Sequence, residues 1–117
     1  YGYVRRPWLG VEPIPTAYLQ RIGLKVLDGL LIAQIVRGAP ADRAGLRGAS
    51  QTVVMEGFQV PWGGDIITHV DRIPVTSLEA LAKQIETRKP GTTVVLRVIR
   101  EEQVREITVT LKARPRR

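Results

Sequence analysis

Apolar and polar residues alternate strictly over residues 107–111, near the end of the chain. A two-residue period of this kind is typical of a strand with one buried and one solvated face. Residues 92–100 are a second strand-like segment, and a polar Glu-Glu-Gln turn at 101–103 separates the two. The pattern therefore predicts an antiparallel hairpin of residues 92–100 and 104–111.

Three earlier segments also look extended. Residues 29–36 are a mostly apolar run whose length and β-branched content favour a buried strand, and residues 66–70 are strand-like as well. Residues 11–15 contain Pro13 and Pro15. Because proline has no N–H to donate to a neighbouring strand, this third segment is predicted to be a short edge strand.

The clearest helix is predicted between Ser77 and about Lys89. Its apolar residues recur at spacings of three and four and therefore share one face. They are Leu78, Leu81, Ala82 and Ile85. Ser77 is a suitable N-cap, and the Pro-Gly pair at 90–91 ends the helix. Weaker patterns predict a very short helix within residues 38–46 and a helical segment at 16–22.

Residues 47–62 show no regular period, but apolar residues flank a Glu-Gly pair at 56–57. This arrangement predicts a small hairpin with a glycine turn. Two environments are open for its large side chains, Met55, Phe58 and Trp62. They pack on the core of their own domain, or they contact another domain.

The totals describe one ordinary globular domain. With 117 residues, of which 44% are hydrophobic and 25% are charged, the chain can bury a single modest core. It has no cysteine, so a disulfide framework is excluded and the compartment stays open. No apolar run reaches the roughly 18 residues of a membrane span. Because the first residue is tyrosine, we expect an excised fragment.

The net charge of +7 is concentrated at the two ends of the chain. Six basic residues lie within the first six and the last six positions, and without them the net charge falls from +7 to +1. Basic termini of this kind are typical of solvated linkers and tails. We therefore predict no nucleic-acid partner.

Catalysis by this chain is not expected. A serine triad needs a nucleophile, a base and an orienting acid together, and the candidates are Ser50, Ser77 and His69. Ser77 is explained as a helix cap, and Ser50 has no glycines arranged around it as in a nucleophile turn. One histidine without cysteine does not predict a metal site, and the glycines at 63–64 lack the lysine of a phosphate loop. We predict neither enzyme activity nor a cofactor.

Peptide binding is the function that remains. In Leu9-Gly10-Val11, the glycine permits backbone angles that let several N–H groups point the same way and hold an anion. The edge segment at 11–14 would add an extended ligand through main-chain hydrogen bonds, with the predicted helix as the opposite wall. The alternative is that the helix stripe is entirely core and that the Leu-Gly-Val sequence is a plain turn.

Several motifs resemble those of the PDZ domain family. Residues 7–11 resemble its carboxylate-binding loop, and residues 29–32 and 39–46 look like its third strand and short helix. Residues 64–71 and 88–92 are also similar to family motifs. Since the binding loop comes first and the last strand closes the sheet, the order resembles the circularly permuted PDZ domains of bacterial HtrA/Deg-type serine proteases.

The resemblance covers residues 7–111 and implies an α+β, mainly β fold. That fold is a circularly permuted, partly open β-barrel or sandwich of five to six strands capped by two helices, with a hairpin insert at about 47–62. Residues 1–6 would then be a linker from an upstream protease domain absent from this chain. Residues 112–117 would be a basic C-terminal tail.

The resemblance also implies site residues. The N–H groups of Leu9, Gly10 and Val11 would hold the carboxylate of a ligand's last residue. The strand to which the ligand adds would include Glu12 and Ile14. The apolar pocket would be lined by Leu9, Val11, Leu78, Ala82 and Ile85. Leu78 occupies the family position where histidine selects a hydroxyl, so we predict apolar residues at both the last and the third-from-last ligand positions.

By resemblance, the chain is a regulatory domain that binds C-terminal or extended peptides of unfolded or misassembled substrates. Its other partner would be its own protease domain in cis, within a serine endopeptidase that can be trimeric, extracytoplasmic or periplasmic, and membrane-anchored. Two alternatives stay open. One is an assembly module whose groove is unused, and the other is a PDZ domain of a site-2-type membrane protease or a secretion component.

Overall fold

Most of the backbone lies in strands. The computed structural model describes residues 6–21, 23 and 28–115, which form ten strands and three helices. The strands are β1 (Pro7–Trp8), β2 (Val11–Pro15), β3 (Leu30–Ile35), β4 (Gln51–Met55), β5 (Phe58–Trp62), β6 (Ile66–Val70), β7 (Ile73–Pro74), β8 (Thr93–Arg100), β9 (Gln103–Thr110) and β10 (Lys112–Ala113). The helices are α1 (Thr16–Arg21), α2 (Pro40–Ala44) and α3 (Leu78–Glu86).

The main sheet has six antiparallel strands. Its order is β2-β3-β6-β8-β9, and β7 pairs with β6 off this path. The predicted C-terminal hairpin is present as β8 and β9, paired without interruption from Thr93 opposite Thr110 to Arg100 opposite Gln103. The predicted edge strand is also present, since β2 pairs only with β3 among the described strands. The mainly β, α+β fold class is confirmed.

Helix α3 covers one side of the sheet's core. The core contains the buried apolar residues of β3, β6, β8 and β9, and Leu81 and Ile85 of α3 pack into it. Ser77 caps the helix as predicted, because its Oγ accepts a hydrogen bond from the N–H of Ala80 (3.1 Å). The helix ends three residues earlier than predicted. Thr87 is its C-cap, and the Thr87 hydroxyl donates to the carbonyl of Lys83 (2.8 Å).

The insert is a separate hairpin of β4 and β5, as predicted. Its turn residues, Glu56 and Gly57, both have positive φ (51° and 81°), as a two-residue hairpin turn requires, and glycine adopts this conformation at little cost. Val60 is buried in a second, smaller core with Leu31, and Met55 and Trp62 pack against that core. Phe58, by contrast, is exposed. The insert therefore packs on its own domain through every large side chain named above except Phe58.

Several details differ from the sequence-based expectations. The helical segment predicted at 16–22 is present as α1, so the described residues contain one helix more than the two expected to cap the sheet, and Ile22 lies outside the described residues. Residues 73–74, which the sequence analysis did not predict to be a strand, form β7. Lys112–Ala113, the start of the expected tail, pair with Pro7–Trp8. Residues 1–5 and 116–117 of the expected linker and tail also lie outside the described residues. No helix in the described ranges is long and apolar enough to cross a membrane.

A buried ion pair joins the start of β6 to the end of β8. The guanidinium of Arg100 donates to both carboxylate oxygens of Asp65, at 2.8 and 2.7 Å, and to the carbonyl of Gly45 at 2.9 Å. The same carboxylate accepts the N–H of Arg47 at 3.0 Å. The hydrogen bonds that Arg100 donates to Asp65 raise the pKa of Arg100 above its usual value, against the opposing effect of partial burial. Three segments distant in sequence, at residues 45–47, 65 and 100, are thus held at one point.

Candidate functional site

A groove of about 480 Å³ lies between strand β2 and helix α3. Its floor and walls come from the segment before and within β2, from one face of α3, and from single residues after β3 and β10. They are Arg6, Pro7, Trp8, Leu9, Gly10, Val11, Glu12, Pro13, Val36, Leu78, Leu81, Ala82, Ile85, Glu86 and Arg114. The predicted edge strand and the predicted helix therefore face each other across a cavity.

The loop at the head of the groove depends on Gly10. This residue has a φ of 81°, and a Cβ at this position would overlap the Cβ of Ala39, so both conformation and space require glycine. The loop carbonyls are held by the rest of the domain. The Leu9 carbonyl accepts from the N–H of Ala41 (2.9 Å), and the Gly10 carbonyl accepts from the N–H of Val36 (2.8 Å). The backbone of the loop is thereby fixed.

Unlike its carbonyls, two N–H groups of this loop have no hydrogen-bond partner among the described residues. Within residues 6–21, 23 and 28–115, the N–H groups of Leu9 and Gly10 donate to no protein acceptor. Both residues are buried and both line the groove. Since buried backbone donors are nearly always paired, two unpaired donors at the head of a groove form a place for an anionic or carbonyl oxygen.

The register of β2 decides which main-chain groups face the groove. In antiparallel pairing, alternate residues exchange hydrogen bonds with the neighbouring strand and the others face away from it. Val36 N–H donates to the Gly10 carbonyl, and Thr16 N–H donates to the Gly29 carbonyl (2.9 Å). Residues 10, 12, 14 and 16 therefore face β3, and residues 11, 13 and 15 face the open edge.

This register changes the expected role of two residues. Glu12 and Ile14, predicted for the peptide-binding strand, direct their main-chain groups towards β3. The side chain of Glu12 still lines the groove, whereas Ile14 does not line it. The main-chain groups at the open edge belong to Val11, Pro13 and Pro15. The direction in which these main-chain groups point could not be predicted from the sequence, because a shift of the pairing register by one residue reverses it.

The residues expected to form the apolar pocket all line the groove: Leu9, Val11, Leu78, Ala82 and Ile85. Their exposure differs along α3. Ile85 is buried at the bottom, Ala82 is partly buried, and Leu78 is 48% exposed at the first turn. Leu81, which the sequence interpretation assigned to the helix stripe but not to the pocket, lines the groove too. The three-and-four spacing of apolar residues, to which Leu81 belongs, was the sequence signal that could have assigned it to the groove.

Four charged residues border the groove, and the sequence interpretation did not assign three of them to it. Arg6 and Glu86 form an exposed ion pair (Nη1–Oε1, 3.1 Å), and the guanidinium carbon of Arg114 lies 5.8 Å from the centre of the Trp8 ring. Glu12 is the fourth. These two arginines and two glutamates balance in charge, so the unpaired N–H groups, and not a net positive charge, distinguish the loop end of the groove.

The remaining candidates for chemistry lie elsewhere. His69 in β6 contacts the hydroxyl of Thr68 through Nδ1 (2.9 Å) and does not line the groove. Across the described ranges, no three His, Asp or Glu residues are grouped so that they could hold a metal ion. The groove itself contains no serine or histidine.

Comparison with known proteins identifies related chains. The profile of the PDZ domain family matches residues 7–111. A probable periplasmic serine endoprotease DegP-like of Chlamydia muridarum is 36% identical over 97% of this chain and 20% of the relative. The chloroplastic Protease Do-like 1 of Arabidopsis thaliana is 30% identical over 98% of this chain and 25% of the relative. The chain spans about a fifth to a quarter of the length of these curated relatives.

Solved structures agree on the fold. The HtrA-type protease AlgW, solved with a tripeptide, has a TM-score of 0.72 and 26% identity, covering 99% of this chain and 34% of that one. The HtrA3 PDZ domain bound to a phage-derived ligand (FGRWV) has a TM-score of 0.67 and covers 95% of this chain and 89% of that one. At 17% identity it supports the fold alone. The resemblance to PDZ domains of HtrA-type proteases, inferred from the motifs, is confirmed.

Proposed function

Since the chain belongs to the PDZ domain family, we propose that it binds the C-terminal residues of substrate polypeptides on behalf of an HtrA-type serine endopeptidase. The observation that carries the proposal is the pair of unpaired N–H groups, Leu9 and Gly10, at the head of an apolar groove. A terminal carboxylate satisfies both donors, and an extended chain behind it meets the edge of β2.

The groove favours a ligand with an apolar last residue. That side chain enters between β2 and α3, where Leu81 and Ile85 are buried at the bottom and Ala82 leaves room. Two positions earlier, the ligand side chain faces Leu78, whose side chain cannot hydrogen-bond a hydroxyl. An apolar residue is therefore preferred there as well. Because several ligand bonds are ordered on binding, we expect roughly micromolar affinity, or about −8 kcal/mol.

The proposal extends to the parent protein. One relative is described as a probable periplasmic serine endoprotease and the other as a chloroplastic Do-like protease, and the chain covers only a small part of each. In the proposed arrangement, a protease domain precedes this chain and performs the hydrolysis. The chain itself recruits substrates or regulates that domain in cis.

The test uses one peptide in two forms. A seven-residue peptide with valine at its last and third-from-last positions is titrated with a free carboxylate and then with an amidated end, and the fluorescence of Trp8 is followed in a Trp62→Phe background. The free acid is expected to bind at least about tenfold more tightly, because the amide removes the negative charge that the loop N–H donors stabilise. Equal affinities would refute carboxylate recognition.

A further inference from the structure

The open edge of β2 carries two prolines where a regular edge strand would carry N–H groups. Val11, Pro13 and Pro15 face this edge, as the hydrogen bonds at Gly10 and Thr16 establish. Ile32, the partner of Pro13, supports the same register. Its N–H donates to the carbonyl of Asp65 (2.9 Å), on the side of β3 that faces away from β2.

The irregularity in this ladder does not disturb the alternation along β2. Glu12 pairs with Gln34 and Pro13 pairs with Ile32, so the extra residue, Ala33, lies in β3. A bulge bends the strand that contains the extra residue and leaves the count on its partner unchanged. The outward positions of β2 are therefore residues 11, 13 and 15.

These three positions offer unequal sets of hydrogen-bonding groups. Val11 offers both an N–H and a carbonyl, whereas Pro13 and Pro15 offer only carbonyls, because proline has no N–H. A strand added to this edge in antiparallel pairing can donate at all three positions. Past Val11, it finds no donor for its own carbonyls.

Building on the proposed function, we propose that Pro13 and Pro15 restrict main-chain recognition to the last three residues of the ligand. With the carboxylate at the loop, the N–H of the last ligand residue donates to the Val11 carbonyl. The N–H of the third-from-last residue donates to the Pro13 carbonyl, while its own carbonyl faces the Pro13 ring without a partner. Beyond this residue, each main-chain contact that the ligand gains is offset by a loss.

Further ligand residues add little to binding. Extending the ligand by two residues would gain one N–H bond to the Pro15 carbonyl. The same extension orders two more residues and places a second ligand carbonyl against a proline ring, where it finds no main-chain donor. These two losses offset the single gain. The matching ligand is therefore a chain end with three accessible residues, and a long unfolded segment is not required.

A length series tests the proposal on the unaltered chain. N-acetylated peptides of three, five and seven residues share valine at the last and third-from-last positions, and each is titrated by calorimetry. The dissociation constants are expected to agree within about twofold. Tightening of more than about tenfold from three to seven residues would overturn the proposal while leaving carboxylate recognition intact.

Single variants test the effect of each proline separately. Pro13→Ala restores one edge donor, and it is expected to tighten binding of all three peptides by about three- to tenfold, the effect of one net hydrogen bond. Pro15→Ala is expected to tighten binding of the five- and seven-residue peptides only. Pro74→Ala, a strand proline of β7 away from the groove, is the matched control with no expected change.

The outcomes distinguish this inference from the function on which it rests. Unchanged affinity of the three-residue peptide for folded Pro13→Ala would overturn the role of Pro13. If Pro13→Ala does not fold, the length series on the unaltered chain still decides. Binding of amidated and free peptides with equal affinity would instead refute the proposed function itself.

Discussion

Replacement of Arg100 by methionine is expected to destabilise the domain more than any other single change to its charged residues. The side chain of Asp65 is 1% exposed and that of Arg100 is 13% exposed. Their contact is bidentate, at 2.7 and 2.8 Å. Methionine retains the apolar stem but removes every donor, so the Asp65 carboxylate keeps only the N–H of Arg47 as a partner.

The magnitude follows from that burial. Breaking a buried ion pair on one side leaves an uncompensated charge and costs about 3–5 kcal/mol, out of a total of roughly 5–15 kcal/mol for a domain. At about 3–5 °C per kcal/mol for a chain of this size, the Tm of Arg100→Met falls by about 10–20 °C. Because the folded-state pKa of Arg100 is raised, its stabilising contribution is complete below the ordinary arginine range and is lost only as the pH rises beyond that range.

Thermal unfolding followed by circular dichroism measures this effect, with two matched variants. Arg97→Met breaks the exposed pair with Glu106 on the same hairpin (3.3 Å), and it is expected to cost at most about 1 kcal/mol. Asp65→Asn combined with Arg100→Met removes both charges and is expected to be more stable than Arg100→Met alone. A Tm drop for Arg100→Met no larger than that of Arg97→Met would refute the reasoning.

Three further predictions concern the loop, the ligand and a turn. Gly10→Ala is expected to abolish peptide binding in the titration and to lower stability by about 1–3 kcal/mol, because it adds a Cβ at positive φ against Ala39. Leu78→His is expected to gain preference for Ser or Thr at the third-from-last ligand position in a paired-peptide titration, and no change would contradict the assigned contact. Arg72→Gly is expected to raise the free energy of unfolding in urea by about 0.5–1 kcal/mol, since Arg72 has a φ of 73° in a tight turn. A lower free energy of unfolding would show that contacts of the Arg72 side chain stabilise the fold.

Local patterns were sufficient for most of the fold. The alternation at 107–111 predicted strand β9, and the Glu-Gly pair at 56–57 predicted the insert hairpin, since both signals depend on neighbours in sequence. The pairing of Asp65 with Arg100 could not be predicted, because 35 residues separate them and no local period relates them. For the groove, the stripe on α3 predicted the wall. Which residues of β2 face outward could be determined only from the pairing register of β2 with β3.

The prolines of β2 bear on how an exposed strand edge could bind a ligand without also promoting aggregation. An exposed strand edge beside an apolar cavity pairs readily with any extended chain, which leads to aggregation as well as to ligand binding. Pro13 and Pro15 remove the donors that an arbitrary strand would need, so a long internal segment gains little from adding to this edge. In the proposed mode of binding, a chain end places its carboxylate on the N–H groups of Leu9 and Gly10, and an internal segment has no carboxylate to place there. On this proposal the edge selects a terminus because it binds other extended segments weakly, and Pro13→Ala is expected to lower this selectivity even as it tightens binding.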